Sequence, residues 1–488
     1  MSGAMAGPLG ISESREGSGT AWQPEATPVY GFQAGAGRWS LMGQGNAFLQ
    51  FIDEGSDRGA SQLGSVNWFM GMARRGFGGE GEGEGDSTGT GTGEAKGKGK
   101  AKGEGEGMAG MDMGHASGPG EGAGAAARAD LTLRAMLSLE PLTVGRCGYP
   151  DLLATGELCD GRALHDRQHP HDLFMEVAAQ YRQALSRNVA VELYGGPVGD
   201  PALGPVAFPH RASALWTPIA PIGHHWEDAT HVAFGVVTAG VYGRVWKLEG
   251  SAFNGREPDD RRFDFDLGPL DSYAARLWVA PSDKLVVQVS TGYLRAAEQT
   301  PGAEARTDVH RTTASLEYEL PVGGGGSWAS TLVWGLSRAH GIATNAALAE
   351  SALDLDGRNV LHGRAEVADK TGEDLALDAA EVRDQVFRVG KLAFGYDRVL
   401  ASGRGRARGL SPVLGAELSL GLVPAALWPF YGPGGVGFAV YAGVHPARMR
   451  MAGPAAAVPV PAPLPPPAGE MMMPPSDSSR TSSRTPRP

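Results

Sequence analysis

The 488-residue sequence has no run of eighteen apolar residues, so it offers no membrane-crossing helix, although strands that cross a membrane remain open. It has only two cysteines, Cys147 and Cys159, which in an oxidising compartment could staple one loop rich in Gly, Pro and Asp. Basic residues are in deficit, 43 against 54 acidic, for a net charge of -11. No basic stripe of the kind a nucleic acid needs is present, so no nucleic-acid partner is expected. Catalytic signatures are missing too: there is no HExxH, no CxxC pair and no serine nucleophile elbow, and the glycines of GPGGVG (432–437) read as turn residues. An enzyme is not expected. The first residues lack the charged and apolar regions of a secretory signal. Read literally that points to the cytoplasm, and against the membrane features below it reads as a misplaced start.

Two segments stand apart by composition. Residues 78–127 are a Gly/Glu/Lys low-complexity insert that cannot bury enough apolar surface to order itself, and 446–488 form a Pro-rich, disordered tail. The chain therefore divides into an irregular N-terminal segment (1–38), a β domain (39–445) carrying the insert, and the tail.

Within the β domain the dominant period is two. In RTTASLEYEL, Ala314, Leu316, Tyr318 and Leu320 alternate with Ser315, Glu317 and Glu319, the pattern of a half-buried strand. Leu131, Leu133, Leu137 and Leu139 alternate with Thr132, Arg134, Ser138 and Glu140; Leu173, Met175, Val177, Ala179 and Tyr181 alternate with Glu176, Gln180 and Arg182. About sixteen such segments recur, each about the length a tilted membrane-spanning strand requires.

The connections alternate long and short: 145–170 long, 186–187 short, 199–230 long, 242–243 short, 256–271 long, 281–283 short, 297–310 long, 322–326 short, 339–345 middling, 356–359 short and 369–386 long. One end then carries elaborate loops and the other tight turns. The fold expected is an all-β, antiparallel, up-and-down transmembrane β-barrel of about sixteen strands. A soluble β-sandwich would also alternate along its strands. Aromatics near strand ends (Trp39, Trp68, Tyr181, Trp246, Trp278, Tyr293, Trp328, Tyr396) read as an interfacial girdle, and Arg134, Glu140, Glu176, Arg182, Glu192, Glu317, His362, Arg364 and Glu366 as the lining of a wet lumen. Lipid and small solutes or ions are the partners this implies, with oligomeric association open.

Seven of the twelve histidines fall between His165 and His231. His165, His169, His171 and Asp172 lie on one long loop, and His210, His224, His225, Asp228 and His231 on the next, flanking one hairpin and so sharing a rim. Imidazole and carboxylate donors suit copper or zinc, though no diagnostic spacing is present. The alternative is a hydrogen-bonded network locking two long loops across the barrel mouth. Met108, Met111, Met113 and His115, inside the insert, form a second candidate tract, with soft donors for copper.

Five segments, REGSGTAWQPEATPVY (Arg15 to Tyr30), DRQHPHDLFMEVAAQY (Asp166 to Tyr181), GPVAFPHRASA (Gly204 to Ala214), PIGHHWEDATHVAFGVVTAG (Pro221 to Gly240) and FNGREPDDRRFDF (Phe253 to Phe265), resemble a family of bacterial outer-membrane, porin-like barrel proteins over about residues 8–445. The resemblance implies a barrel in a Gram-negative outer membrane with a link to copper or heavy-metal handling, and brings no ligand set. The Pro-rich tail departs from the family, whose last strand ends the chain. Three functions follow in order: a passive or metal-linked outer-membrane pore; a metal-binding loop module on a structural barrel; and, distantly, a secreted soluble β-protein with metal-dependent hydrolase activity.

Overall fold

The structure, a computed structural model, describes residues 6–78, 127–299, 306–377, 380–400 and 409–449. Met108, Met111, Met113 and His115 and the tail beyond Met449 lie outside the described residues.

Period-two sequence yields strands almost throughout. In chain order they are β1 (Phe32–Ala36), β2 (Trp39–Glu54), β3 (Ser61–Phe77), β4 (Ala129–Leu137), β5 (Tyr149–Cys159), β6 (Arg162–Gln168), β7 (Phe174–Ala184), β8 (Ala190–Val198), β9 (Val236–Tyr242) and β10 (Trp246–Phe253). They continue as β11 (Ser272–Ser282), β12 (Leu285–Glu298), β13 (Thr307–Val322), β14 (Gly326–Ala339), β15 (Ile342–Asp354), β16 (Asn359–Thr371), β17 (Val386–Val399), β18 (Leu410–Leu422) and β19 (Gly435–Pro446). Antiparallel pairing joins seventeen into one sheet, and β5 and β6 form a separate hairpin. The short β1 flanks the first residues of β2, which leaves sixteen strands in a ring closed by β9–β10 and β19–β2. Closure leaves no edge whose backbone groups lipid would strand.

Alternation sorts the two faces. Outside, Leu63, Leu248, Leu332, Phe394, Leu418 and Val436 are half or more exposed. An apolar outer wall of this extent belongs in lipid, and a soluble sandwich would have buried it. Inside are Arg74, Arg134, Arg182, Glu192, Glu249, Arg276, Glu350 and Arg364, all buried. Long connections at 138–173, 199–235, 254–271, 372–385 and 423–434 share one rim, and turns such as 243–245, 283–284 and 323–325 share the other.

Four readings from the sequence are corrected. Trp68 and Trp278 do not belong to an outer girdle; they point inward, at 8 % and 0 % exposure, because each lies in phase with an inward arginine of its own strand, Arg74 and Arg276. Met175 also turns inward, since the register between β4 and β7 slips at Met136/Leu137. Glu140 is not on a strand; it opens a helical turn, Glu140–Thr143. The expected middling connection at 339–345 is a two-residue turn, His340-Gly341, with φ of 51° and 79°, the doubly positive geometry of a tight hairpin.

The polar faces line the interior as expected, but much of it is filled by chain. Two irregular segments occupy it, residues 8–28 from the N-terminus and the 199–235 loop. The first packs Leu9, Ile11, Ala21 and Trp22 with Val206, Tyr242 and Trp278, and the second runs across to the opposite wall.

Candidate functional site

Irregular backbone can sit inside a barrel only if its polar groups are met there. On one wall Glu16 accepts from Arg182 at 2.6 Å and from Arg74, while Arg74 also reaches Glu13 at 3.0 Å. Arg134 donates to the Gly19 carbonyl at 2.6 Å, and Arg276 to Thr20 Oγ1 and the Gly204 carbonyl at 3.0 and 3.1 Å. On the other wall Arg211, fully buried, donates to Glu350 at 2.7 Å and to Asp228 at 2.8 Å. Arg364 joins Glu350 at 3.0 Å and the Ile219 carbonyl at 2.9 Å, and Glu366 accepts the Ile222 amide at 2.7 Å.

The remaining residues read as lumen lining are likewise engaged. Glu192 meets Gln180 at 3.0 Å and Lys247 at 3.1 Å; Glu176 accepts from Tyr194 at 2.7 Å; His362 lies 3.0 Å from Asp397; and Glu317 is buried on β13. Arg211, Glu350, Glu16 and Arg74 escaped the sequence reading. Their signal was there: Glu350 and Arg74 stand in the inward phase of their strands, and Arg211 follows His210 directly.

The two histidine loops do meet. His171 takes the Glu140 carboxylate at both its amide and its Nδ1, each at 2.9 Å, and its Nε2 lies 3.1 Å from Nε2 of His231. Nδ1 of His231 donates to the Asp228 carbonyl at 2.8 Å, and Nδ1 of His224 lies 2.6 Å from Asp228 Oδ1. Phe208 lies among these rings, 5.3 Å from His224 and 5.8 Å from both His171 and His231. The pair has a proton count. Both Nδ1 atoms face acceptors and must carry hydrogens, so the Nε2 contact needs one further proton and one ring is an imidazolium. Burial pushes His171 down, but Glu140 outweighs it and the net shift is upward. Burial, then His224 and His171, hold His231 well below the usual histidine range. The shifts thus favour the proton on His171 over His231. Burial would raise Asp228, but Arg211 and then His224 hold it well below the usual carboxylate range.

His169 stands 6.1 and 5.9 Å, ring to ring, from His224 and His225, and His225 faces Glu257 at 3.5 Å. Asp172 pairs with Arg262 at 3.3 Å. His165 stays apart, half exposed on β6 beside Asp166, and His210 packs on Trp68 at 4.7 Å. Among the described residues, no three donors of this pocket lie within 4.8 Å of one another; Asp259, Asp264 and Asp266 do, in the partly exposed 254–271 loop. Cys147, just before β5, and Cys159, beside the β5–β6 turn, form a disulfide.

Space inside the barrel lies on both sides of the crossing loop. A cavity of about 310 Å³ opens at the long-loop rim, lined by Glu257, Asp259, Asp260, Glu298, Glu373, Asp374 and Asp384 with Arg306. Another of about 100 Å³, lined by Met42, Arg74, Trp68 and His445, lies toward the turn rim. A third, of about 40 Å³, is lined by both rings of the histidine pair and by the 254–271 connection.

No protein-family model matches the sequence, and no curated protein does. Among solved structures, the chain is similar to OmpF of Salmonella typhi in complex with daunomycin (8 % identity, 85 % of this chain and 100 % of that one, TM-score 0.46). It is also similar to OmpT of Vibrio cholerae, an outer-membrane protein in its trimer form (9 %, 83 % and 99 %, 0.42), and to an anion-selective porin from Comamonas acidovorans (9 %, 84 % and 99 %, 0.41).

Proposed function

We propose that this chain is a porin-type barrel of the bacterial outer membrane, its long-loop rim at the cell surface, through which small solutes or ions pass when the 199–235 loop is displaced. The observation that carries the reading is water-sized space at both mouths, about 310 Å³ and 100 Å³, with the ion-paired 199–235 loop between them and the ion-paired 8–28 segment beside it. Removing one partner of a buried pair costs about 3–5 kcal/mol, so Arg211, Asp228 and Glu350 hold the loop across the lumen and set conductance low at rest.

Planar-bilayer recording tests this with the full chain and a variant whose residues 205–222 are replaced by a short Gly/Ser linker. Small or rare openings are expected for the first, and a several-fold larger conductance for the second. If both migrate as folded, heat-modifiable barrels and neither passes ions, the channel reading fails.

A further inference from the structure

Toward the turn rim, two buried neutral groups lack partners and share one cavity. Trp68, 8 % exposed on β3, carries an indole Nε1–H, and His445, 3 % exposed on β19, an imidazole Nε2; neither atom has a hydrogen-bond partner among the described residues. Both side chains line the cavity of about 100 Å³. Their roles differ. Nδ1 of His445 lies 2.6 Å from the Pro446 carbonyl, which can only accept, so Nδ1 carries the hydrogen and Nε2 of the neutral ring is left as an acceptor. The indole N–H can only donate. Trp68 pairs with Asn46 of β2, and Val444 pairs with Ala47, so the two side chains stand two strands apart, about 10 Å between backbones. They address opposite ends of a guest rather than one atom of it. A donor and an acceptor buried without partners are costly unless an occupant meets them.

The rest of the wall sets the class of that occupant. Met42 and Met72, direct partners across β2 and β3, line the cavity with Met70, and the rings of Tyr30 and Trp216 stand edge-on to His445, each at 5.2 Å. Thioethers and ring edges favour an aromatic guest. The charged side chains on the wall are already engaged, Arg74 with Glu13 at 3.0 Å, Arg134 with Glu16 at 3.4 Å and Arg211 with Glu350 at 2.7 Å. Burial, then Arg134, push His210 down to about 4, so it too is neutral near pH 7. A neutral guest therefore fits better than an ion. At roughly 10–15 Å³ per water-sized body, the space takes about seven to ten non-hydrogen atoms, a single substituted ring. We infer that this cavity binds a small neutral phenol bearing a second oxygen, its hydroxyl donating to Nε2 of His445 and the other oxygen accepting from Nε1 of Trp68. The site does not depend on conduction, so a silent bilayer recording leaves it intact.

Calorimetric titration of the full-length protein in detergent at neutral pH tests it, with para-hydroxybenzyl alcohol as the neutral probe and sodium para-hydroxybenzoate as its charged analogue. Saturable binding of the alcohol is expected, weakened at least fivefold in Trp68→Phe and in His445→Phe, each of which keeps a ring and loses the polar atom. The benzoate is expected to bind at least tenfold more weakly than the alcohol. The proposal is overturned if the alcohol does not saturate, if either folded variant binds it as well as the parent, or if the benzoate binds as well as the alcohol. Should one variant lose heat-modifiable migration, the other carries the test, and unchanged binding by it overturns the site.

Discussion

Glu140 sets the charge of the histidine pair, and that makes one carboxylate the source of a pH dependence. His171 is shifted upward, so its stabilising interaction is fully present below the unfolded histidine value of about 6.5 and is lost as pH climbs through the raised folded value. His231 is shifted downward, so its contribution is present above about 6.5 and lost as pH falls through the depressed value. The two limbs bracket neutrality. Glu140→Gln removes the alkaline limb, because a neutral amide no longer favours the imidazolium. The variant is expected to unfold at lower temperature than the parent near pH 6, by the equivalent of about 1.5–3 kcal/mol for a hydrogen bond to a charged group, with the gap narrowing toward pH 9. Unfolding temperatures followed by circular dichroism from pH 5 to 9 check this, and a gap constant across that range would contradict the assignment.

At the scale of elements, the long 138–173 connection is a small folded unit tied to the barrel by side chains. Lys391 reaches Asp151 at 2.6 Å, Lys370 reaches Thr155 at 2.7 Å, and Arg58 reaches Asp166 at 2.8 Å. The Cys147–Cys159 bond, closing a separation of 12 residues, constrains only this hairpin. Chain entropy for a loop near that size amounts to about 3 kcal/mol. Reduction is therefore expected to raise protease cleavage within 145–168 while leaving barrel migration on gels unchanged; concurrent loss of heat-modifiable migration would show that the hairpin holds the barrel together. Sequence reading found this hairpin's neighbours better than the hairpin itself. Strand phase was legible in β13, where Leu316 and Glu317 alternate cleanly, and failed at Met175, where a slip in pairing reverses the phase and leaves no mark in composition. Residue type alone points Trp68 and Trp278 outward, although the arginines of their own strands already give the inward phase. The meeting of the histidine loops followed from chain topology, since both leave one hairpin at the same rim. Which ring would face which was not legible, because irregular loops obey no period.

For the whole molecule, alternation says that each strand has an apolar and a polar face but not which face is outside. What decides it is closure: sixteen strands around a polar, filled interior turn every apolar face outward. The filling escaped the sequence because residues 8–28 and 199–235 carry Gly, Pro and scattered charge, the composition of surface loops, and only their ionic partners on the wall place them inside. Lipid makes the outer face testable. Leu332, 51 % exposed at mid-strand on β14, lies beside Leu316 and Ala349 of the neighbouring strands, whereas Leu410 begins β18 at the turn rim. In a bilayer an outward arginine costs about 2–4 kcal/mol at the midplane and about 0–1 near the interface. On a soluble barrel both changes would fall within about 0.5 kcal/mol of neutral. Leu332→Arg is thus expected to lose folding stability in lipid vesicles by at least about 2 kcal/mol relative to Leu410→Arg, as measured by denaturant titration of reversible folding. Equal effects of the two substitutions would mean that the apolar wall does not stand in lipid.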